Sequence, residues 1–441
     1  MADAAGRLAA LAEGALGAPP PVRIRAWDGS EAGPPDAPAL VVRNRRALRR
    51  VLWKPGELGM VRAWVAGDLD VEGDLYEVLD RLAGLVWERG EGTGEGRVAA
   101  ALSAVRALRE PQARGLAREA LTLAGPGLPP APPPEEAPRR TGVRHSLSRD
   151  RDAIHHHYDV GNPFYEHVLG PSMVYSCAYW NASAGTLEQA QEAKLDLACR
   201  KLALREGQRL LDVGCGWGSM VLHAARHYGV RAVGITLSAE QAAYARKRVA
   251  EEGLTDRIEI RVQDYRRVAD GPYDAISSIG MAEHVGSARY LEYARTLYGL
   301  LLPGGRLLNH QIARRPLARE EAYRVDEFID RYVFPDGELA PVGTTVSLLE
   351  EAGFEVRDLE SLREHYALTL RRWVANLEDH WDEAVRLTSP GRARVWRLYM
   401  AASALAFERN RIGVNQLLAT RPGPEGSSGM GRTRGEWTER G

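Results

Sequence analysis

Cysteine is scarce in this sequence, which has three in 441 residues and no Cys-x-x-Cys pair. This excludes a disulfide framework and argues against a structural zinc site, so we predict no bound metal and a reducing compartment. Long apolar runs are also missing. No segment approaches the about 18 to 20 residues that cross a bilayer, and the N-terminus lacks the basic region of a secretory signal. We therefore expect a cytoplasmic protein that contacts the inner face of the plasma membrane only peripherally.

An excess of one charge sign is lacking too, since 58 basic and 59 acidic residues leave a formal net charge of −1. A chain without a strong global field is not expected to recruit nucleic acid. Arginines are nevertheless clustered at 43–50 and at 314–319. Such clusters suit either a solvated helix face or an anionic membrane surface, and the sequence leaves both interpretations open.

Proline and glycine mark the predicted domain boundaries. Residues 124–142 are dense in both and cannot form a packed element, so we predict a linker there. Residues 1–123 are predicted to be a smaller accessory domain with two strands, at 22–30 and 39–44, and several helices. Residues 143–421 are predicted to be the catalytic domain, and residues 422–441 a disordered tail.

Short apolar runs alternate with helix-like segments in the predicted catalytic domain. Five of them are predicted strands, at 207–213, 229–238, 258–265, 273–280 and 304–313. This alternation predicts an α/β fold with a doubly wound, mostly parallel, Rossmann-like sheet. Ligands of such sheets bind beyond the carboxyl ends of the strands.

A glycine-rich turn follows the first of these strands in LDVGCGWGS, residues 211–219. Gly214, Gly216 and Gly218 would let a ligand approach the backbone closely, and the following helix would offer it free N–H groups. The GxGxG spacing and the preceding Asp212 favour adenosylmethionine over a dinucleotide. The next two strands end in polar residues, which argues against a purely structural turn: Thr236 with Gln241 one helical turn later, and Gln263 with Asp264. The sequence thus predicts a class I adenosylmethionine-dependent methyltransferase.

Five strings together resemble the cyclopropane-fatty-acyl-phospholipid synthases and mycolic acid cyclopropane synthases. They are YDVGNPFYEHVLGPSMVYSCAYW (158–180), LDVGCGWGS (211–219), VGITLSAEQ (233–241), SIGMAEHVG (278–286) and LREHYALTL (362–370). The resemblance spans most of residues 150–416, and the first 130 residues resemble the accessory domain of the phospholipid-acting branch. It implies an enzyme that adds a one-carbon unit from adenosylmethionine at the double bond of an unsaturated phospholipid acyl chain.

The resemblance also assigns site residues one by one. It implies cofactor contacts from Tyr175 and Ser176, in addition to the glycine turn and the strand-end residues. It implies a bicarbonate ion at the reaction centre, held by Cys177, Glu283, His310, Ile312 (through its main chain) and Tyr366. An anion in an apolar pocket would stabilise a carbocation, and a base would remove its proton. Cation–π partners would come from four aromatic residues: Tyr175, Tyr179, Trp180 and Tyr366.

Each of these residues also has a structural interpretation. Glu283 with His284 is typical of a helix N-terminus, and Cys177 of a small buried side chain. Histidines at 155–157 look like a metal cluster, yet adjacent residues of an extended segment point to opposite faces, which argues against one. Only the joint placement of these groups at the ends of one sheet favours catalysis.

Two positions depart from the family pattern. Ser403 stands where relatives often carry a cysteine, which puts a covalent cysteine mechanism in doubt, and His310 is followed by QIARRP rather than a turn of small residues. The strings at 362–378 and 412–418 look closer to relatives that start 10-methyl branched acids such as 10-methylstearate. We therefore expect a 10-methylene product from oleoyl lipids, saturated by a separate reductase, with a cyclopropane as the alternative product.

Two other functions remain open on the sequence. One is a small-molecule methyltransferase of the same fold, since fold does not determine substrate; the other is a lipid-binding subunit without activity. We expect the N-terminal domain to dock on the membrane and the segment 320–339 to cover the acyl pocket. The sequence does not give the oligomeric state, and a homo-oligomer is compatible with it.

Overall fold

The structure is a computed structural model that describes residues 3–90, 111–138, 149 and 160–438. The chain divides into two compact units. Unit 1 comprises Met1–Arg139, Leu317–Val333 and Ser389–Leu405, and unit 2 comprises Arg140–Pro316, Phe334–Thr388 and Ala406–Gly441. Unit 1 thus takes in two segments that the sequence assigned to the catalytic region.

Unit 1 contains a four-stranded sheet in the order β2–β1–β3–β4. Its strands are β1 (Arg23–Arg25), β2 (Glu31–Ala32), β3 (Ala39–Val42) and β4 (Leu69–Glu72). Its helices are α1 (Ala4–Leu16), α2 (Arg45–Trp53), α3 (Glu57–Val65), α4 (Leu75–Gly90) and α5 (Pro111–Ala124). The two strands predicted at 22–30 and 39–44 form β1 and β3, whereas a helix predicted at 98–110 lies outside the described residues.

The arginines of α2 serve unit 1 itself. Arg46 and Arg50 lie 3.1 and 2.9 Å from the carboxylate of Asp68, which is buried. Arg50 also donates to the carbonyl of Ala131 at 2.7 Å. A buried carboxylate needs such partners, so these contacts show that Arg46 and Arg50 stabilise the fold of unit 1.

The proline-rich segment predicted as a linker packs within unit 1 as far as residue 138. Glu136 has a side chain that is 1% exposed, and it accepts two hydrogen bonds from Arg62 at 2.6 and 2.7 Å. Arg331 and Tyr332 donate to the same carboxylate at 2.8 and 3.0 Å. A buried carboxylate held by two guanidinium groups anchors this segment, which composition alone could not show. Residues 139–142 lie outside the described part of the chain.

Unit 2 is built on a twisted sheet in the order β11–β12–β9–β8–β5–β6–β7, with β10 paired to β9. The strands are β5 (Arg209–Val213), β6 (Arg231–Thr236), β7 (Ile258–Val262), β8 (Tyr273–Ile279), β9 (Leu301–Arg314), β10 (Ala340–Pro341), β11 (Glu355–Ser361) and β12 (Ile412–Thr420). Neighbours from β7 to β9 are parallel, and β12 is antiparallel to both β9 and β11. The five predicted strands are β5 to β9; the sequence did not predict β11 and β12.

Helices cover both faces of this sheet. They are α6 (Asn162–Leu169), α7 (Leu187–Leu202), α8 (Ser219–Tyr228), α9 (Ala239–Glu251), α10 (Ala282–Val285), α11 (Tyr290–Leu300), α12 (Val342–Glu351), α13 (Arg363–Asp379), α14 (Trp381–Leu387) and α16 (Gly435–Thr438), and α15 (Pro390–Glu408) runs from unit 1 into unit 2. Short 3₁₀ turns lie at Tyr265–Arg267, Ser287–Arg289, Glu320–Ala322 and Pro424–Gly426, and a π-helical turn at Ile329–Val333. In the part of the chain that the structure describes, no helix has both the length and the apolar character to cross a bilayer.

Strand alternation assigns each side chain of the sheet to one of two cores. Leu210, Leu308 and Leu418 belong to the core on one face, which includes α7, α8 and α9. Leu307 and Leu417 belong to the core on the other face, which includes α11 and α12. Because successive residues of a strand point to opposite faces, residues 212, 310 and 416 share the first face. The polar residues discussed below are therefore gathered on one side of the sheet.

The segment 422–438, predicted as a disordered tail, is ordered in the structure. Met430 packs against the core that contains Leu210. Arg434 lies 3.1 Å from the carboxylate of Asp358 on β11. The segment is held by an apolar contact and an ion pair to an edge strand that the sequence did not predict.

Candidate active site

The glycine turn lies between the end of β5 and the start of α8. The backbone N–H groups of Gly214 and Cys215 both donate to the carbonyl of Ile235 on β6 at 2.9 Å. Gly214 and Gly216 have φ values of +79° and +53°, which favour glycine. Gly218 differs in role, because it lines neither of the cavities described next. A Cβ atom at this position would lie 3.1 Å from the Cβ of Ala245. Its absent side chain permits close packing of α8 on α9.

Two adjoining cavities open at this turn. The first, of about 740 Å³, is lined by Thr236, Gln241, Gln263 and Asp264. The second, of about 540 Å³, has walls from both the turn and the segment before α7, including the predicted cofactor residues Tyr175, Ser176 and Asp212. Both cavities are lined by Gly214, Gly216, Gln241 and Gly280. The structure thus brings nine of the ten predicted cofactor residues to one continuous depression.

Polar side chains that line the first cavity are oriented by contacts within the protein. The carboxamide oxygen of Gln241 lies 2.9 Å from the hydroxyl of Thr236. Asp264 forms an ion pair with Arg266 at 2.7 Å. Burial acts to raise the pKa of Asp264, but the hydrogen bonds from Arg266 outweigh it and hold the pKa below its usual value. Asp264 is therefore an ionised acceptor at neutral pH, suited to the amine or hydroxyl donors of an adenosine.

A buried lysine that the sequence analysis missed lies in the second cavity. Lys194 on α7 is 1% exposed, and its Nζ donates to the hydroxyl of Ser176 at 3.0 Å. Burial lowers the pKa of Lys194 to about 8, and burial raises the pKa of Asp212 to about 6 despite a 2.6 Å hydrogen bond from Ser277. Helical spacing from Leu187 puts residue 194 on the buried face of α7, so the signal was available. An ammonium and a carboxylate side by side suit the zwitterionic end of an amino acid.

We expect Lys194→Met to weaken adenosylmethionine binding roughly ten- to a hundredfold, because a charge-assisted hydrogen bond contributes about 1.5–3 kcal/mol. Lysine is cationic below its pKa, so wild-type affinity should fall as the pH rises through about 8. Isothermal titration calorimetry between pH 7 and pH 9 measures both effects. Lys247→Met is the control, since that side chain is 73% exposed and pairs with Glu251 on the surface of α9. An affinity equal to that of the control at every pH would contradict the assignment.

Three of the predicted anion residues, Glu283, His310 and Ile312, lie where β9 extends beyond β8. The last interstrand bond at this edge runs from the backbone N–H of Gly280 to the carbonyl of His310, at 2.8 Å. Beyond it, the N–H of Ile312 donates to Oε1 of Glu283 at 2.7 Å. Oε2 of Glu283 is buried without a hydrogen-bond partner in the described ranges, and burial raises the pKa of this carboxyl to about 7. Glu283 is therefore a buried acid–base group and more than a helix-terminal charge.

His310 is buried, and neither ring nitrogen has a hydrogen-bond partner among the residues described. Burial, together with the charges of Lys194 and Lys201, lowers the pKa of His310 well below its usual value. The imidazole is therefore neutral, with one donor and one acceptor nitrogen. The orphaned atoms of Glu283 and His310 require a small polar guest, since buried polar groups are almost always bonded.

The remaining two predicted anion residues are gathered at the start of α13. The thiol of Cys177 donates to the carbonyl of Leu362 at 3.5 Å, and the backbone N–H of Tyr366 donates to the same carbonyl at 3.0 Å. Burial raises the pKa of Cys177 well above its usual value, so it stays a neutral thiol. The structure thus links Cys177 to Tyr366 through Leu362, and Glu283 to Ile312 directly.

An aromatic cluster connects a predicted cofactor residue, Tyr175, with a predicted anion residue, Tyr366. Trp373, which the sequence analysis missed, is fully buried, with ring centroids 5.4 Å from Tyr175 and 6.0 Å from Tyr366. A spacing of seven residues puts Tyr366 and Trp373 on one face of α13, so the pattern could have revealed the pair. Of the other predicted aromatic residues, Tyr179 stacks on His365 and Trp180 donates from its indole to Thr369 at 3.1 Å.

The histidines at 155–157 lie outside the described residues. In the ranges that the structure covers, no three His, Cys, Asp or Glu side chains lie close enough together to hold an ion. His284 lines the first cavity, and its ring centroid lies 5.7 Å from that of Phe334.

Comparison with known proteins agrees with this geometry. The family model for mycolic acid cyclopropane synthetase matches residues 145–417. The chain is 46% identical to a probable fatty acid methyltransferase of Mycobacterium tuberculosis over 93% of each chain, and 38% identical to the cyclopropane-fatty-acyl-phospholipid synthase of Escherichia coli over 60% of this chain and 66% of that one. A crystal structure of a mycolic acid cyclopropane synthase with SAH and CTAB superposes with a TM-score of 0.58 at 34% identity, covering 61% of this chain and 97% of that one.

These matches confirm the predicted resemblance and the predicted fold class. The solved relative with SAH has the same fold, and its 34% sequence identity to this chain is higher than a shared fold alone would give. The family model covers the glycine turn and all five predicted anion residues. The chain belongs to the mycolic acid cyclopropane synthetase family, and it is an adenosylmethionine-dependent methyltransferase.

Proposed function

We propose that this enzyme transfers a methyl group from adenosylmethionine to the double bond of an unsaturated phospholipid acyl chain and then removes one proton. The observation that carries the proposal is the set of orphaned buried atoms on Glu283 and His310 beside the cofactor cavities. Gly280 links the two sites, since it lines both cavities and its N–H bonds the carbonyl of His310. Methylation of an amine or hydroxyl group also releases a proton, but it forms no carbocation that a held anion would stabilise.

The chemistry explains why these groups are needed. An alkene is a weak nucleophile, and its methylation leaves a cation on the neighbouring carbon. Preorganised negative charge in a site of low dielectric stabilises that cation, and the aromatic faces of Tyr175, Tyr366 and Trp373 add to the effect. A carboxyl with a pKa near 7 can exchange a proton at neutral pH, which suits Glu283 to the deprotonation step.

The residues present fit a bicarbonate ion. Oε2 of Glu283 and the ring nitrogens of His310 lack partners among the described residues, and the main chain of Ile312 with the side chains of Cys177 and Tyr366 would complete the set of groups that hold the ion. When bound, bicarbonate supplies negative charge and a base. The chain itself keeps His310 neutral, keeps Cys177 protonated and buries Oε2 of Glu283.

The relatives support an acyl substrate. The Mycobacterium tuberculosis relative is named a fatty acid methyltransferase, and the likeness covers 93% of this chain and therefore includes unit 1. The Escherichia coli relative is named for fatty acyl phospholipids. Both names concern acyl substrates, so we place a small-molecule methyltransferase second. We propose the 10-methylene product, which forms when a hydride shifts from the methylated carbon to the cationic carbon before the new methyl group loses its proton. Ring closure without that shift gives the cyclopropane, which is the other outcome of the test.

Mass analysis of acyl chains tests the proposal. The enzyme is incubated with adenosylmethionine and dioleoyl phospholipid vesicles, and the released acyl chains are weighed before and after ozone treatment. We expect a gain of one CH₂ group and cleavage by ozone at a branched methylene. A CH₂ gain that resists ozone would identify a ring and overturn the 10-methylene assignment alone. No gain on the acyl chain, with methylation of an added amine instead, would refute the acyl substrate.

The methylene product defines the chemistry of a partner. Its methylene double bond needs a hydride and a proton to become a methyl branch, and adenosylmethionine, the cofactor of the cavities at the glycine turn, supplies a methyl group and no hydride. We therefore propose that a separate reductase acts on the product. Adding a reductase and a nicotinamide donor to the assay should convert the ozone-sensitive product to a saturated branched chain.

Exposed apolar side chains around α2 support membrane docking by unit 1. Trp53, Leu121 and Leu128 are 58%, 60% and 86% exposed. Arg46, on the same helix, has a side chain that is 59% exposed. We expect Trp53→Ser with Leu128→Ser to lower the affinity for anionic vesicles about tenfold or more, since full burial of each side chain would contribute about 1.5–3 kcal/mol. Vesicle sedimentation measures this.

Leu359→Ser in unit 2, where the side chain is 42% exposed, is the matched control. Raising the salt concentration should also weaken vesicle binding, because surface arginines attract anionic head groups through a screened field. Equal binding by the double variant and the control would refute docking through this surface. An affinity independent of salt would refute the electrostatic part.

A further inference from the structure

Gln416 on β12 lies directly opposite His310 on β9. The two strands are antiparallel, and their register pairs Gln416 with His310 and Leu418 with Leu308. Side chains of directly opposed residues lie on the same face of the sheet, with Cβ atoms about 4.5–5.5 Å apart. Gln416 is 0% and His310 2% exposed. The carboxamide and the imidazole are therefore buried neighbours.

None of the four polar atoms of this pair has a hydrogen-bond partner among the described residues. They are Oε1 and Nε2 of Gln416, and Nδ1 and Nε2 of His310. Leaving such groups unbonded in a protein interior is costly, so native interiors rarely contain them together. Four in one place indicate a site that is completed by a small hydrogen-bonding guest.

The opposite face of β9 carries a buried glutamine whose carboxamide is hydrogen-bonded within the protein. There Gln311 accepts from the hydroxyl of Tyr290 at 3.0 Å and donates to the hydroxyl of Thr345 at 2.8 Å. Gln311 and Gln416 are thus two buried carboxamides in one sheet, and Gln311 has hydrogen-bond partners among the described residues whereas Gln416 has none there. The difference argues that Gln416 has a role other than stabilising the sheet.

We propose that Gln416 is a positioning residue that sets the tautomer of His310. Its Nε2 donates to one imidazole nitrogen through one water molecule, so that the ring proton resides on the other nitrogen. That N–H then donates to an anion held beside Glu283. The inference rests on the proposed function, in which Glu283 and His310 hold a small anion.

The tautomer matters because His310 is neutral. A neutral imidazole has a single N–H, and an anion is held by a donor and repelled by a lone pair. Without a donor at Gln416 the two tautomers would both be populated, and a part of the molecules would present the wrong nitrogen. Gln416 would thus act on anion affinity and leave the cofactor cavities unchanged.

Three variants separate this role from a structural one. Gln416→Met keeps the volume but removes the amide, Gln416→Glu replaces the donor with an acceptor when ionised, and Gln311→Met is the control on the opposite face. The readouts are the tautomer of His310 by ¹⁵N imidazole NMR, the affinity for ¹³C-labelled bicarbonate, the melting temperature and adenosylmethionine affinity. The His310 signals are assigned with His310→Asn.

We expect Gln416→Met to keep or raise the melting temperature, to mix the tautomers of His310 and to weaken bicarbonate binding tenfold or more at unchanged adenosylmethionine affinity. Gln416→Glu should reverse the tautomer. Gln311→Met should lower the melting temperature and leave tautomer and bicarbonate affinity as in wild type. A tautomer and bicarbonate affinity unchanged in Gln416→Met, or a lowered melting temperature as the sole effect, would overturn the inference.

The proposed function and this inference can fail separately. A wild-type enzyme that does not add CH₂ to acyl chains, but whose His310 tautomer changes in Gln416→Met, would refute the function and keep the positioning role. An enzyme that makes the acyl product and keeps the same tautomer in all Gln416 variants would refute the positioning role and keep the function.

Discussion

Replacing Glu283 with glutamine should lower turnover about a hundred- to ten-thousandfold, the usual contribution of a positioned acid–base group. Glutamine keeps the shape and still offers an oxygen to the Ile312 N–H, which now donates to Oε1 of Glu283 at 2.7 Å. It removes the proton-accepting carboxylate and the negative charge that a developing cation needs. Adenosylmethionine affinity should be unchanged, because Glu283 lines neither cofactor cavity. Single-turnover kinetics and calorimetry measure the two quantities.

The pH dependence gives this prediction a second test. A carboxyl with a pKa of about 7 is ionised above that pH, so the wild-type rate should rise as the pH passes from about 6 to 8. The rise should be absent from the residual rate of Glu283→Gln. The stability effect has the opposite sign, because a raised pKa means that the folded state loses stability as the pH rises from the unfolded value towards about 7. The variant should therefore be at least as stable as wild type at pH 8.

Glu338→Gln is the matched control for this substitution. Its backbone N–H bonds the carbonyl of Glu283 at 3.0 Å, and its carboxylate accepts from the backbone and hydroxyl of Ser287 at 2.9 and 3.0 Å near the surface. The control should keep wild-type turnover and its pH profile. Turnover in Glu283→Gln within a few-fold of the control would remove Glu283 from the reaction.

Substituting Gly214 with valine should weaken adenosylmethionine binding by about 3 kcal/mol, roughly a hundredfold. The residue has a φ of +79°, and it lines both cavities, so a branched side chain would be strained and would occupy ligand space. A Cβ at this position already lies 3.4 Å from the Cβ of Met281. Binding of adenosylhomocysteine, measured by calorimetry, separates this effect from chemistry.

Gly207→Val supplies the control for backbone strain. Gly207 has a φ of +81° and open space around its Cβ position. Valine there is strained by the left-handed backbone conformation, which lowers the free energy of unfolding by about 1–2 kcal/mol, and it meets no neighbouring atom. Both variants should melt at a lower temperature, and only Gly214→Val should lose ligand. Equal ligand affinity in the two variants would contradict the placement of the cofactor at this turn.

Local sequence patterns determined the framework of the catalytic unit. Each of the strands β5 to β9 is a short apolar run before a helix, and burial on both faces of a parallel sheet requires such runs. The turn at 211–219 follows from its glycines, and Asp212, Thr236 and Asp264 follow from their positions at strand ends. These features depend on neighbours within a few residues, so the chain reveals them without its fold.

Tertiary structure alone decided the pairings between distant segments. Strands β11 and β12 have mixed polar and apolar residues, and they become strands because β12 pairs with β9 and β11 pairs with β12. That pairing puts Gln416 beside His310, and β11 carries Asp358, with which Arg434 forms an ion pair. Cross-strand partners are set by register, which no local propensity encodes. The sequence therefore determined the cofactor turn, while the surroundings of His310 were decided only when the strands came together.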